Sequence, residues 1–394
     1  MSTDEWSQWQ HLRLTPGGAL TPDGVVGRDD LAAEVAALLR TQSVVLVAER
    51  RSGKTSLLTL LEVRPPTGMQ VVKLSVEGVE SPEEFVRRLI VAAQPHLKQK
   101  RFTGLVALLD ELGITGVGGV TREVRHRADW KPVLEETLEQ IAAAGQVVVV
   151  LDELPYVIDR IGQTTGDGEA RAVLDLLRNA RQTHPTTLRF VYCGSIGFHH
   201  VLKSRRGGSW SPINDMRAID VGPISTDSAR ALAGALLRNE AIPCADVDAV
   251  TAAVIEVCEN VPFFIQSVIA DTKTCGRTPI TPDIVRQLFD EALNRPNDPL
   301  VIGHLETRIR DYYGADADLA ATLLDVVAEA PPEGIKFSEL LKVASSKVLA
   351  VPEPLVRELL VLLGKDHYLV REGGVFRFRL QVIRRAWRRL RYLD

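Results

Sequence analysis

The stretch Val44-Val45-Leu46-Val47-Ala48-Glu49-Arg50-Arg51-Ser52-Gly53-Lys54-Thr55-Ser56-Leu57-Leu58 narrows the choice of fold more than any other in the chain. An apolar β-branched run feeds a short polar turn ending in Gly-Lys-Thr, and a leucine-rich helical pattern follows. That is the strand–loop–helix setting of a phosphate-binding loop. The residue types follow from the chemistry of the anion. Backbone N–H groups of the turn and the positive end of the next helix cradle a phosphate. Gly53 lets the backbone come close, the Lys54 ammonium reaches the outer phosphate oxygens, and the Thr55 hydroxyl ligates Mg2+. Ala48 stands where the usual pattern has its first glycine, and alanine resists positive φ.

A second element strengthens the first. Val147-Val148-Val149-Val150-Leu151 reads as a strand buried on both faces of a parallel sheet, and it ends abruptly in Asp152-Glu153. Acids at the carboxyl end of a central strand sit where open α/β sheets bind ligands. Alone, such a pair is an ordinary polar helix start. Downstream of a phosphate loop it reads as a Mg-nucleotide site, with Asp152 on the metal's water shell and Glu153 polarising or aligning the attacking water.

At 394 residues the chain has room for two or three domains, and 45% hydrophobic with 25% charged residues is ordinary globular composition. No apolar run reaches the length of a membrane span. The polar, acidic start Met1-Ser2-Thr3-Asp4-Glu5-Trp6 does not read as a secretory signal. Cys193, Cys244, Cys258 and Cys275 lack metal-ligand spacing and read as reduced thiols, so a cytoplasmic location is expected. A net charge of −4 argues against nonspecific nucleic-acid binding by the chain as a whole, though not by a local patch.

Strands and helices alternate through the first part, which predicts a parallel sheet with right-handed crossovers. Gly27-Arg28-Asp29-Asp30-Leu31 opens a helix ending near Arg40. Val71–Leu74 is a strand, and Ser81-Pro82-Glu83-Glu84 carries the signature of a helix start. The segment Gly113–Gly119 reads as an exposed loop or hairpin insertion. Trp130–Ala144 and Glu169–Thr183 read as helices and Leu188–Cys193 as a strand, with His199 and His200 on the helix after it. After Ser225 a run of helices follows, broken at Asn294–Pro299. The last stretch combines three short helical segments with Tyr368–Val370 and Val375–Phe378 around Glu372-Gly373-Gly374, a hairpin turn. Together these read as a winged helix. The closing helix, Val382–Tyr392, carries Arg384, Arg385, Arg388, Arg389 and Arg391 around Trp387. It would either grip phosphates of a nucleic acid or lay its arginine stems over apolar surface and pair with acids.

The segments Gly27-Arg28, Arg50-Arg51-Ser-Gly-Lys-Thr-Ser-Leu-Leu, Leu151-Asp-Glu-Leu-Pro-Tyr, Gly194-Ser-Ile-Gly and Ser211-Pro-Ile-Asn-Asp resemble the archaeal-ATPase-type P-loop proteins, relatives of the AAA+ and STAND ATPases. The resemblance runs from about Val25 to the end. It implies an α/β P-loop core over 25–222, a helical lid over 223–298 and a winged-helix domain over 299–394, after an N-terminal segment 1–24. It implies ATP or ADP with Mg2+ as ligands, with Thr55 and Asp152 on the metal and Lys54, Asp152 and Glu153 catalytic. Ser52, Gly53, Lys54, Thr55 and Ser56 would frame the phosphates, and Val26, Gly27 and Arg28 would lie against the adenine. Pro262 falls where the family has a lid element near the nucleotide, with Asn260 replacing the usual glycine. Ser195 falls at the polar sensor of the γ-phosphate, or else caps the next helix. Arg50 and Arg51 would contact phosphates or a neighbouring subunit, or brace the loop from outside. Lys203-Ser204-Arg205-Arg206 is either a trans-acting arginine finger or a solvated basic loop.

Two functions then stand against each other, beside a bland third reading in which nucleotide is a structural ligand only. One is a slowly hydrolysing ATP switch that signals through self-assembly or a protein partner, fitting a regulator of defence or stress. The other is a DNA-binding AAA+ loader, or a transposition or replication helper, acting through the winged helix. The chain shows no second catalytic constellation of its own, so any output passes through a partner.

Overall fold

The computed structural model describes residues 9–76, 78–111, 129–194, 197–204, 211–347 and 352–393. The chain divides into two compact units.

One unit comprises Arg28–Ala48 and Lys54–Val221. Its elements are α1 (Asp29–Leu39), β1 (Val44–Val47), α2 (Lys54–Val63), β2 (Gln70–Ser75), α3 (Pro82–Ala93), α4 (Gln99–Glu111), α5 (Trp130–Ala142), β3 (Val147–Asp152), α6 (Leu154–Thr165), α7 (Asp167–Thr183), β4 (Leu188–Cys193), α8 (Phe198–Ser204) and β5 (Arg217–Asp220). The strands form one sheet in the order β2-β3-β4-β1-β5, with every pairing parallel. The valine run of β3 follows from this arrangement. Val147, Val149 and Leu151 enter one apolar core and Val148 and Val150 the core on the opposite face, so no position along the strand is left for a polar residue until Asp152. The strand order sets β4 between the strand that leads into the phosphate loop and the strand that carries the acids.

Local signals account for several element starts. The Ser81 hydroxyl accepts from the Glu84 amide at the start of α3, and the Asp129 carboxylate accepts from Lys131 at the start of α5. The expected segment Ser211-Pro-Ile-Asn-Asp is pinned from α7. Arg181, buried, holds Asp215 with two hydrogen bonds (2.8 and 3.2 Å), the Pro212 carbonyl at 2.6 Å and the Tyr192 hydroxyl at 2.7 Å. Burial beside this network pushes the Tyr192 phenol up to about 12.

The second unit comprises Met1–Gly27, Glu49–Gly53 and Gly222–Asp394. Four helices, α9 (Thr226–Asn239), α10 (Val247–Cys258), α11 (Pro262–Thr274) and α12 (Pro282–Asn294), are followed by α13 (His304–Tyr313), α14 (Ala317–Glu329), β6 (Ile335–Lys336), α15 (Phe337–Lys347), α16 (Glu353–Lys365), β7 (Leu369–Glu372), β8 (Val375–Phe378) and α17 (Gln381–Leu390). The antiparallel sheet β6-β8-β7 completes a winged helix. A single apolar core runs through the lid helices and the winged helix.

The arginines of α17 are bonded within the chain. Arg384 and Arg388 donate to the carbonyls of Ala328 and Ala330 at the end of α14, where cations oppose the helix dipole. Arg391 bonds Asp325 and Glu306, Arg385 pairs with Asp290, and the Trp387 indole donates to Asp325 at 2.8 Å. Arg389 is the exposed member of the set. No helix among the described residues is long and apolar enough to cross a membrane.

Candidate nucleotide site

β1 runs straight into the loop, and α2 begins at Lys54. Positive φ falls on Arg51 (67°) and Gly53 (93°), so the loop turns tightly between the strand and the helix. Ala48 is not among the positive-φ residues, so the missing glycine costs the loop no strain. Lys54 is buried, and its ammonium donates to the Ala48 carbonyl at 3.1 Å, returning to the point where the loop leaves the strand. Thr55 is exposed and Ser56 half-buried on the first turn of α2. A buried ammonium at the N-terminus of a helix suits an anionic ligand, so these residues fit a nucleotide's phosphates.

The acids stand at the tip of β3. Asp152 accepts a hydrogen bond on Oδ1 from the Cys193 thiol at the tip of β4, with Sγ 2.9 Å away. Burial, then Asp152, hold that thiol well above its ordinary range, while the Lys54 ammonium pulls it down and Glu153 pushes it up. Lys54, Asp152 and Glu153 thus act on one buried sulfur. Glu153 adopts left-handed backbone (φ 58°, ψ 27°), uncommon for a non-glycine residue, immediately before α6. Gly194 makes this turn possible: a Cβ there would lie 2.7 Å from Pro155 Cδ and 3.5 Å from a Glu153 carboxylate oxygen. Two carboxylates in sequence at a strand tip suit Mg2+, Asp152 and the exposed Thr55 being the oxygen donors that would hold it.

The other expected site residues are distributed as follows. Arg28 is buried near Asp220 of β5, and desolvation lowers its guanidinium to about 10. Val26 is part of the lid-side core. Gly27 (φ 71°) has no room for a side chain, since a Cβ would come 2.5 Å from Ser228 Cβ. Arg51 lays its guanidinium 4.9 Å from the ring centre of Phe263, next to Pro262 in the first turn of α11, and Arg50 lies within electrostatic reach of His304 at the start of α13. Asn260 takes the left-handed conformation (φ 62°) that the family's glycine would allow. Ser52, whose amide donates weakly to the Glu49 carbonyl, is buried. Ser195, Arg205, Arg206 and the segment Gly113–Gly119 lie outside the described residues, as does the side chain of Lys203.

Cys193 is the site residue that motif reading passed over, and Gly194, quoted only within the Gly194-Ser-Ile-Gly motif, was given no role of its own. Their signal was positional: a strand's last residue in register with the tips of its neighbours, followed by a glycine.

A five-stranded parallel sheet in this order, a loop of phosphate-binding pattern on one inner strand, acids at the tip of another, then helices and a winged helix make up the fold of AAA+-type P-loop proteins. No protein-family model and no curated protein matches the sequence. Among solved structures, a Walker-type ATPase of Pyrococcus abyssi superposes with a TM-score of 0.63 at 17% identity, over 93% of this chain and 97% of that one. The ORC2 protein of Aeropyrum pernix, in ADPNP–ADP complexes, gives 0.52 at 13% identity, over 93% and 94%. At such identities the likeness is one of fold.

Proposed function

We propose that the chain binds Mg-ATP at the loop 48–55 and hydrolyses it slowly, and that ATP and ADP favour different states which a protein partner or a second copy of the chain reads. The observation that carries this reading is the convergence of Lys54, Asp152 and Glu153 on Cys193 at the strand tips. Bound Mg2+ would offset phosphate charge. The loop amides and Lys54 hold the phosphates in place. Asp152 and Thr55 orient the metal's ligand sphere, and Glu153 holds the water proton that must leave. Arg28, Val26 and Gly27 border the base, and Ser195 serves as the phosphate sensor.

A regulatory role, in defence or stress, suits a chain with no other catalytic constellation. The alternative is a DNA-bound loader. The C-terminal arginines it would use are largely bonded to carbonyls and acids of the chain itself, which weighs against that reading. Size-exclusion chromatography with light scattering, run with ADP, with a slowly hydrolysed ATP analogue, and with duplex DNA, separates the two. Assembly with the analogue alone supports the switch, and a shift that requires DNA supports the loader. Lys54→Ala abolishes nucleotide binding with the fold retained. Normal Mg-ATP binding by that variant in calorimetry would overturn the site.

A further inference from the structure

Cys193 ends β4, the strand between β1 and β3, and its register partner on β1 is Leu46. Its sulfur is fully buried and donates to Asp152 Oδ1 at 2.9 Å. Among the described residues Asp152 Oδ2 takes no hydrogen bond, so the thiol fixes one oxygen and leaves the other presented. A carboxylate's last torsion is broad and roughly two-fold, so without a donor nothing local selects one orientation. The thiol also lies within electrostatic reach of the Lys54 ammonium, so a carboxylate released from it has a cation to turn towards.

We propose that Cys193 is a positioning residue: its S–H donor orients Asp152 so that Oδ2 faces the metal's ligand sphere and the carboxylate stays off Lys54. The assignment rests on the nucleotide reading above. A hydroxyl at this position would preserve the donor, whereas an apolar residue of similar volume would preserve the packing and lose it. Cys193→Ser and Cys193→Val therefore separate orientation from core filling, and valine also suits a buried strand. Cys193→Ala serves as a second donor-free variant should valine fail to fold.

The experiment is calorimetric binding of ADP to wild type and each variant, with EDTA and then across graded MgCl2, with circular dichroism confirming the fold. In EDTA all folded variants bind ADP as wild type does. Cys193→Val needs about tenfold more Mg2+ to reach the same gain in affinity, the lower end of the loss expected when a ligand's outer partner is removed. Cys193→Ser stays within about twofold of wild type, small against that tenfold shift. If the valine and alanine variants match wild type, or serine shifts as far as valine, the positioning role is wrong while the nucleotide site stands. If wild type binds no ADP, or binds it without regard to Mg2+, the nucleotide reading fails and the role of Cys193 with it.

Discussion

At the residue scale, Glu153 carries strain where the proposed chemistry needs it. Left-handed backbone at a non-glycine residue costs of order 1 kcal/mol and persists when its surroundings impose it. Asparagine adopts that conformation more readily and lacks a carboxylate. Glu153→Asn should therefore raise the unfolding free energy by about 0.5–1 kcal/mol while lowering ATP turnover by on the order of 10²-fold. Urea unfolding beside a phosphate-release assay checks both, and a variant that loses stability would show that Glu153 contacts outweigh the strain. Gly194 makes the opposite case. An added methyl meets the Pro155 ring, which cannot swing aside, so Gly194→Ala should cost about 1–3 kcal/mol, the usual range for overpacking. A thermal melt unchanged from wild type would mean that the β4 tip shifts freely.

At the element scale, one buried guanidinium fastens 211–216 to β4 and α7. Arg181→Met removes a cation of matched length and leaves Asp215 and the Tyr192 hydroxyl without their partner, at a cost of about 3 kcal/mol in chemical unfolding. A loss below 1 kcal/mol would mean that water replaces the guanidinium. The first turn of α13 carries a pH term. His304 donates from Nδ1 to the Val301 carbonyl, and its buried Nε2 has no hydrogen-bond partner among the described residues. Burial, then Arg308, and more weakly Arg50, lower this imidazole to about 4, against the Val301 hydrogen bond and Asp298, which raise it. The unfolded chain therefore binds the proton from pH 6.5 downward and the folded chain only near pH 4, so stability is full above 6.5 and falls on acidification by up to about 3 kcal/mol. Urea midpoints at pH 7.5 and 5.0 measure the slope, and His304→Gln should flatten it; equal slopes would assign the acid sensitivity elsewhere.

Legibility differed by element for physical reasons. The valine run of β3 and the cap at Ser81 are readable because one interaction dominates each. β5 escaped because an edge strand of four residues, three of them exposed, has too little apolar pattern. α6 escaped although Leu154, Val157, Ile158 and Ile161 recur at helical spacing and the acid pair alone is an ordinary helix start, because the pair was read for its metal chemistry. In the proposed site, Lys54 and Asp152 are the residues that chain-local motifs single out. Cys193 was not, because its role depends on which strand lies between the other two, and no local pattern encodes strand order.

At the scale of the whole molecule, the chain buries separate cores in two units, and the side chains of Lys54, Asp152 and Glu153 belong to a different one from the C-terminal arginines. The β-sheet unit holds Lys54, Asp152 and Glu153, whereas α17 closes the core shared by the lid helices and the winged helix. Most of α17's cations are bonded internally, which on the proposed reading gives these arginines a structural task. Removing two of them should then act on one unit alone. Arg384→Ala/Arg388→Ala uncovers the Ala328 and Ala330 carbonyls and lowers the transition of the helical unit, with a loss of about 1–3 kcal/mol for the unpaired buried acceptors. Mg-ATP at a hundredfold excess over its dissociation constant adds about 2.7 kcal/mol to whatever binds it, and should raise the transition of the β-sheet unit. Differential scanning calorimetry of wild type and the double variant, each with and without Mg-ATP, resolves the two effects. If the double variant keeps its helical-unit transition but loses salt-dependent affinity for duplex DNA, the arginines serve nucleic acid and the loader reading replaces the switch.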